Sequence, residues 1–493
     1  MISILTTTKY KHRISKIIDS VNRLSELIYL VDRGELIAET SKIILVENDV
    51  IIIPVDWFER EPPFIFQNIP FNSENLLAII FYKLGNHQKA FEFVKENDSV
   101  YNELLTATYL QFGYEISEEM FSKLDRLHNK CIVEHYGKYI SSDKKFELSD
   151  QYQQAIDIAK NPEIKAFTVK HYCDLLLDSG SFKEAELLLR SNIEKNISEN
   201  AKNALNIQLA YALMAQLKLP YPENNLDEIY KLFQNGIKFY LENSQDANAG
   251  LLYLDASEIA NFKGDYVKSK EQINKAILIF KEADIPEFLG EAGLRKATLL
   301  YTWSKNGSPQ YYKPAVNAFQ DTLKIFKRDS HPQKFADVHH NLALIYSEIP
   351  VSPEEKPIWT AFCASSFKEV LKFYTKENHP YEFAMANHNY ATALMSFPEA
   401  KIHNNLDRAF NMFEEALAIR TAESYPFERA LTLINQLELY WIMHNENVED
   451  ESNRFNLMMQ KAKEIKELIT DKSLLEKANQ HIASLNNLKI MLN

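Results

Sequence analysis

A proline recurs at nearly constant spacing in the second half of this 493-residue chain. Pro286, Pro332, Pro380 and Pro426 lie 46, 48 and 46 residues apart, and a small residue follows four positions after each. Because proline lacks an N–H and has a fixed φ, it fits the first turn of a helix. The pattern predicts repeated units, each with one helix that begins at the proline and a second that ends before the next. The small residues are Gly290, Ala336, Ala384 and Ala430.

Glycine is scarce. The chain has 11 glycines, about 2% of its residues, whereas soluble proteins average ~7%. This scarcity argues against many tight turns and against Gly-rich phosphate-binding loops, and it favours helices joined by short polar loops. From about residue 72 onward the apolar residues follow a helical period almost everywhere. We therefore expect an all-α fold over most of the chain.

A template of small and aliphatic residues recurs along the helical region. In one unit, small residues precede a Gly-Asp-Tyr turn at 264–266, and further small residues follow it. These units resemble tetratricopeptide repeats, in which small residues let two helices cross closely. The resemblance implies a superhelical solenoid of about ten helix-turn-helix hairpins. The residues that carry it are Ala256, Ser257, Ala260, Ser269, Ile273 and Ala276 in this unit, and Leu77, Ala78, Phe81, Gly85, Ala90, Val94, Tyr172, Cys173, Leu176, Gly180, Ala185 and Leu189 in two earlier ones.

The later units are longer than the usual 34-residue repeat. Their extra residues are expected in the loop between the two helices of each hairpin, at 304–314, 349–357, 397–406 and 444–453. Similar long repeats occur in bacterial proteins linked to effector or protease modules. The repeat domain is predicted to span 72–493, with the clearest repeats at 162–470 and a capping helix at 471–493.

Residues 1–71 differ from the rest. A helix is predicted from about residue 11 to 31, and two β-branched runs around a polar turn predict a β-hairpin near 41–56. No other strands are expected in the chain. Because a lone hairpin is marginal in water, it must pack on a neighbour. We interpret 1–71 as a small α/β cap on the helical array, with a small functional domain as the alternative.

Charge and motifs exclude several functions. The formal net charge is −13, which disfavours binding to nucleic acid. Cys131, Cys173 and Cys363 lie far apart, which argues against a disulfide framework or a zinc site. The chain contains no phosphate-loop, dinucleotide-binding or zinc-protease motif, no apolar stretch long enough for a membrane and no secretion signal. We expect a cytoplasmic, non-catalytic protein with no cofactor, no metal and no membrane association.

One face of the first helices in the late units carries candidate ligand-binding residues. In the tetratricopeptide family the corresponding face lines a concave groove, where an asparagine clamps the backbone of a bound peptide, because a carboxamide both donates and accepts. The alternative is that these asparagines bridge neighbouring helices. Two histidines on the same face predict groove or core residues rather than a metal site. The candidates for peptide binding are Asn341, Asn389, Asn435, His340, His388, Arg295, Tyr301 and Trp441.

The sequence favours a protein- or peptide-binding scaffold or adaptor with a neutral or basic partner. A peptide-responsive regulatory sensor is the first alternative, and an accessory subunit of a bacterial effector or defence system is another. An enzyme with a hidden site in residues 1–70 is the least favoured, because no nucleophile–base pair is visible there.

Overall fold

The computed structural model describes residues 1–32, 42–96, 98–138, 145–193, 195–218, 220–398, 404–443 and 448–492. The chain divides into two compact units, Met1–Gln272 and Ile273–Asn493. Each unit has its own hydrophobic clusters.

Unit 1 begins with a five-stranded mixed sheet of order β2-β1-β3-β4-β5. The central strand β1 pairs in parallel with β2 and β3, and β3–β4 and β4–β5 are antiparallel. The predicted hairpin corresponds to β3 and β4, although residue 41 lies outside the described residues. The strands are β1 Ile2–Thr6, β2 Ile28–Asp32, β3 Lys42–Glu47, β4 Val50–Ile52 and β5 Ile69–Pro70.

Two predictions for the N-terminal region are wrong. Strands are not confined to 41–56, and the helix predicted over 11–31 is instead α1, Thr8–Asp19, followed by β2. The physical reason is that β1 is only five residues long and receives its hydrogen bonds from strands more than 20 positions away. A period-2 signal in so short a run is weak. Ile2 and Ile4 are nonetheless fully buried in the core that also holds Ile14 of α1.

Helices fill the rest of unit 1. Asn72 and Ser198 cap α2 and α10 by accepting hydrogen bonds from backbone N–H groups, and Asn161 caps α8 ahead of its Pro162. The core of the sheet continues into the first of these helices, with Leu76 and Leu104 fully buried in the same cluster as Ile44. The helices are α2 Ser73–Lys83, α3 His87–Glu92, α4 Ser99–Phe112, α5 Glu118–Ser122, α6 Leu127–Tyr136, α7 Lys145–Ile158, α8 Pro162–Asp178, α9 Phe182–Ile193, α10 Glu199–Ala215, α11 Glu223–Glu242, α12 Asp246–Phe262 and α13 Tyr266–Glu282, which contains the unit boundary.

Unit 2 confirms the proline pattern, because four of its helices begin at the repeated prolines. The small residue four positions later is fully buried at Ala336, Ala384 and Ala430, and packing requires a glycine at position 290. A Cβ on Gly290 would lie 2.6 Å from Cζ of Phe326. The remaining helices are α14 Pro286–Lys305, α15 Tyr312–Thr322, α16 Pro332–Glu348, α17 Lys356–Phe373, α18 Pro380–Met395, α19 Asn405–Ile419, α20 Pro426–Ile442, α21 Val448–Leu468 and α22 Lys472–Leu492.

The predicted fold class is confirmed within the described residues. Helices α2 to α21 follow one another as ten pairs, with α22 last, after a small N-terminal sheet. The extra residues of the late units are not confined to the loop inside each hairpin, contrary to the prediction, because the connections between pairs are as long as those within them. Those within the pairs are 306–311, 349–355, 396–404 and 443–447, of which 399–403 and 444–447 lie outside the described residues, and those between pairs are 323–331, 374–379 and 420–425. In the parts of the chain that the structure describes, every helix is too short or too polar to cross a membrane.

Candidate functional site

The asparagine series, Asn341, Asn389 and Asn435, uses its side-chain amides within the protein. Asn389 Nδ2 lies 2.9 Å from Nε2 of His340 on the first helix of the preceding pair, and Asn435 Nδ2 donates to Thr392 Oγ1 at 2.9 Å. The amide of Asn341 donates to the Asp337 carbonyl of its own helix at 2.9 Å. These contacts favour the alternative in which the asparagines hold helices together. Peptide binding by the series stays a prediction.

His340 and His388 are acceptors for this series. Burial lowers the pKa of His340 to about 4 and that of His388 to about 3, so both rings are neutral at pH 7. A neutral ring nitrogen accepts a hydrogen bond from an amide, as Asn389 provides for His340 and Asn435, at 3.4 Å, for His388. Among the described residues, no three metal-binding side chains lie close enough together to share an ion.

The other three candidates from the sequence occupy different environments in unit 2. Tyr301 is buried, and its hydroxyl donates to Glu348 Oε2 at 2.7 Å. Trp441 is 40% exposed, and its indole donates to His481 at 3.0 Å beside a small cavity of about 450 Å³. Arg295 is partly exposed. Most polar groups of the predicted face therefore bond within the protein, while six of the eight candidate side chains, all but His340 and Tyr301, keep some exposed surface.

In unit 1 a piece of the chain that is neither helix nor strand lies across three first helices. This crossing segment, residues 57–67, contacts α8, then α6, then α4. Trp57 Nε1 donates to Glu163 of α8 at 2.8 Å, and the Gln67 N–H donates to Glu103 of α4 at 3.0 Å. Between these two ends, the carbonyl of Pro63 accepts from His128 of α6 at 3.0 Å.

Asn129 of α6 clamps the backbone of the crossing segment. Its Oδ1 accepts from the Ile65 N–H at 3.0 Å, and its Nδ2 donates to the Ile65 carbonyl at 2.9 Å. Asn129 is 1% exposed, so this pair of bonds is shielded from water. The carboxamide–peptide contact implied by the family resemblance is thus present, but on a different helix and on the chain's own backbone.

A cavity of about 780 Å³ opens beside the Trp57 end of the crossing segment. It is bounded by the loop 56–63 and by the first helices α8, α10 and α12, with smaller contributions from α4, α6 and α11. Six aromatic and five acidic residues line it, against two basic ones. These are Trp57, Phe58, Tyr136, Phe167, Tyr211 and Tyr240; Asp56, Glu59, Glu61, Asp174 and Asp178; and Arg60 and Lys170.

A hydrogen-bond network forms one wall of the cavity around Asp174. The Tyr136 hydroxyl donates to Asp174 at 2.9 Å, Gln208 donates to its other oxygen, and His171 Nδ1 lies 3.4 Å away. Burial alone raises the pKa of Asp174, but the hydrogen bond from His171 and the charge of Lys170 outweigh it and lower the pKa to about 2. Asp174 is therefore a carboxylate at pH 7.

His171 of this network has an unused acceptor. Burial lowers its pKa, so the ring is neutral at pH 7. Because the single hydroxyl proton of Tyr136 goes to Asp174, we assign the ring proton to Nδ1, which lies 3.1 Å from the Tyr136 oxygen. The remaining nitrogen, Nε2, is buried and has no hydrogen-bond partner among the described residues. His171 is 4% exposed and lines the cavity.

Glu59 projects from the loop into the cavity. Its backbone has a φ of 56°, in the left-handed region that non-glycine residues rarely adopt. The loop is held in this shape by the Asp56 carboxylate, which accepts from the N–H groups of Phe58, Arg60 and Glu61. The Glu59 carboxylate pairs with the buried ammonium of Lys170 while staying 65% exposed.

Sequence reasoning missed this cavity and the clamp. Asn129 lies in the stretch 97–162, where the repeat template is degenerate, and its partner is 64 positions away. One available signal was the apolar run Phe64–Phe66 after two prolines, which fits neither a helical nor a strand period. Such a run predicts a segment that is extended and buried.

Several solved structures are similar to this chain at low identity. No protein-family model matches the chain, and no curated protein matches its sequence. The Cut9–Hcn1 hetero-tetramer of the APC/C has 10% identity, a TM-score of 0.38 and coverage of 84% of this chain and 72% of that one. The human IFIT1 dimer with PPP-AAAA has 14% identity and a TM-score of 0.39, with coverage of 85% of this chain and 90% of that one. The P58(IPK) TPR domain has 12% identity and a TM-score of 0.23, with coverage of 85% of this chain and 98% of that one. Identities this low leave the function to be argued from the residues of the chain.

Proposed function

We propose that this chain of tetratricopeptide-like hairpins is a non-catalytic scaffold that binds a peptide segment of a neutral or basic protein partner. The binding site is the cavity of unit 1, and binding requires no cofactor, metal, nucleic acid or membrane. In this proposal the repeat domain spans 72–493, with 1–71 and 471–493 as its caps. The observation that carries the proposal is the clamp of Asn129 on the backbone of Ile65.

The crossing segment supports peptide binding because it already has the conformation and contacts of a bound peptide. Two first helices bond its backbone, α6 at Pro63 and Ile65 and α4 at Gln67, and α8 accepts a hydrogen bond from the side chain of Trp57. The cavity lies at the Trp57 end of this segment, on the next first helices, α8, α10 and α12. Its volume of about 780 Å³ is in the range of ordinary ligand sites.

The chemistry of the cavity supports binding rather than catalysis. A covalent mechanism needs an activated nucleophile beside a base. Burial raises the pKa of the Cys131 and Cys363 thiols to about 12 and raises that of Cys173 as well, so these cysteines stay protonated at pH 7. The described residues that line the cavity include no cysteine, serine or threonine. The network around Asp174 then acts as a set of hydrogen-bond acceptors for a ligand.

A selection experiment tests this proposal. A displayed dodecapeptide library is selected against the full chain, and the affinities of the selected peptides are measured by calorimetry. We expect peptides whose affinity falls at least ten-fold in Asn248→Trp, which fills the cavity from α12. Asn225→Trp on the exposed side of α11 is the control and leaves affinity unchanged. The proposal is rejected when no peptide is selected or when the selected peptides bind Asn248→Trp as well as the wild type.

The sensor function is the second candidate, because the crossing segment borders the cavity and ends in a loop with a strained residue, Glu59. A basic group of the ligand that pairs with Glu59 in place of Lys170 would release this loop. Hydrogen exchange of residues 57–63 tests the idea, with faster exchange expected once a selected peptide is bound. Slower or unchanged exchange would leave the scaffold function alone.

A further inference from the structure

The cavity of unit 1 carries more negative charge than its basic groups neutralise. Asp56 pairs with Arg60, and Glu61 pairs with Lys83 and Lys42, outside the cavity lining. Three further carboxylates, Glu59, Asp174 and Asp178, line the cavity with a single ammonium, that of Lys170.

One ammonium serves two carboxylates in the centre of the cavity. Lys170 pairs with Glu59 and also lies 3.8 Å from Asp174, and Asp178 adds a further exposed carboxylate on the same helix. Lys170 itself is buried, with its side chain 9% exposed, whereas that of Glu59 is 65% exposed. The exposed Glu59 carboxylate is therefore accessible to a second cation, because Lys170 neutralises its charge only in part.

Aromatic rings surround this charge. Tyr136, Tyr211 and Tyr240 line the same cavity as Glu59 and Asp174. Phe58 already receives the guanidinium of Arg60 over its ring at 5.4 Å. Aromatic faces together with carboxylates form a favourable environment for a cation, and most of all for a planar guanidinium.

The buried Nε2 of His171 points to the same ligand independently of the acidic groups. With the ring proton on Nδ1, this nitrogen is an acceptor without a donor in the described residues. A buried acceptor without a donor is unfavourable, and a ligand N–H would satisfy it. Carboxylates, aromatic faces and an unused acceptor are all complementary to a group that carries positive charge and only donors.

We propose that the cavity of unit 1 binds a cationic side chain, a guanidinium or an ammonium group, of the partner peptide. This inference rests on the proposed function and specifies its ligand chemistry. Glu59 and Asp174 pair with the cation, Tyr136 and Tyr211 contact its faces, and His171 Nε2 accepts one N–H. A neutral peptide lacks the group that this site is built to hold.

The experiment uses pools of acetylated and amidated hexapeptides with one fixed position and mixed neutral residues elsewhere. The fixed residue is arginine, citrulline, lysine, acetyl-lysine or alanine, and apparent Kd values are measured for the full chain at low and moderate salt. We expect the arginine pool to bind at least ten-fold tighter than the citrulline pool, and the lysine pool tighter than the acetyl-lysine pool. Since only the ligand changes, this comparison does not depend on the folding of a variant.

Variants of the protein locate the effect. Glu59→Gln removes a charge from the exposed side of the cavity. Asp174→Asn keeps one oxygen to accept from Tyr136 and places an amide toward Gln208, whose carboxamide can turn to accept from it. We expect each to reduce the preference for arginine over citrulline at least three-fold. Glu199→Gln, an exposed position at the start of α10, is the matched control and keeps the full preference.

The outcomes separate this inference from the function on which it rests. Equal binding of the arginine and citrulline pools overturns the cation site and leaves peptide binding standing. A preference for arginine that persists in both Glu59→Gln and Asp174→Asn overturns the assignment to this cavity. Failure of every pool to bind overturns both proposals.

Discussion

Replacing Asn129 by alanine tests the clamp on which the functional proposal depends. The side chain is 1% exposed and makes two hydrogen bonds to one peptide unit, at 3.0 and 2.9 Å. Its loss leaves both the N–H and the carbonyl of the buried Ile65 without a partner. Each unsatisfied buried group costs ~1–3 kcal/mol, so the crossing segment loses about 2–6 kcal/mol of local stability.

The free energy of global unfolding is a poor measure of this loss, because neighbouring repeats in an array can unfold separately. Native-state hydrogen exchange of the Ile65 amide is the better assay. A loss of about 2–6 kcal/mol corresponds to exchange that is roughly 30-fold to 25,000-fold faster. Asn192→Ala is the control, because this asparagine is also buried but bonds only within its own helix, to the carbonyl of Leu188.

In the control variant we expect unchanged exchange at Ile65. An Ile65 amide that exchanges less than three-fold faster in Asn129→Ala than in the wild type would refute the reasoning. It would mean that the segment is held by its apolar side chains, with the carboxamide contributing little.

Three other predictions concern unit 2. Gly290→Ala places a Cβ 2.6 Å from the ring of Phe326, so we expect the free energy of unfolding, measured by thermal denaturation, to fall by ~1–3 kcal/mol. Adding Phe326→Leu should restore part of this loss, and an unchanged melting temperature in Gly290→Ala contradicts the packing. Replacing all three residues of the asparagine series by alanine removes one hydrogen bond at each position, worth ~0.5–1.5 kcal/mol. We expect a less stable unit 2 with unchanged peptide affinity. Lost affinity at unchanged stability would support peptide binding by this series instead. Burial holds the pKa of His340 near 4 and that of His388 near 3, below the ~6.5 of an unfolded histidine. The unfolded state therefore takes up more protons, and unit 2 loses stability as the pH falls from about 6.5 to about 4, by up to about 3 kcal/mol for His340. A stability profile of the wild type that is flat over this range contradicts the burial of these rings.

Features that depend on local sequence were predictable. The starts of α14, α16, α18 and α20 follow from proline alone, because its effect on a helix start is local. The pairing of β3 with β4 follows from two adjacent β-branched runs around a short turn. In both cases the residues that determine the structure are neighbours in the chain.

Features that depend on distant partners were not predictable. β1 is a strand because β2 and β3 flank it, and no pattern in its five residues indicates those partners. The position of Asn389 on the predicted face was apparent, but whether its amide meets a ligand or His340 is decided 49 positions away. The same holds for Asn129, whose role depends on where the crossing segment lies.

The central claim is that the peptide binds in the cavity of unit 1. Photo-crosslinking tests it most directly, because it identifies which residues of the protein lie beside the bound peptide. Benzoylphenylalanine is placed at Leu251, which lines the cavity on α12, or at Trp441, which lies on the face predicted from the sequence in unit 2. A peptide from the displayed library is then irradiated with each protein, and the crosslinked product is identified by mass spectrometry. We predict a crosslink from position 251 that excess unlabelled peptide abolishes, and none from position 441. A specific crosslink from position 441 alone would contradict the account.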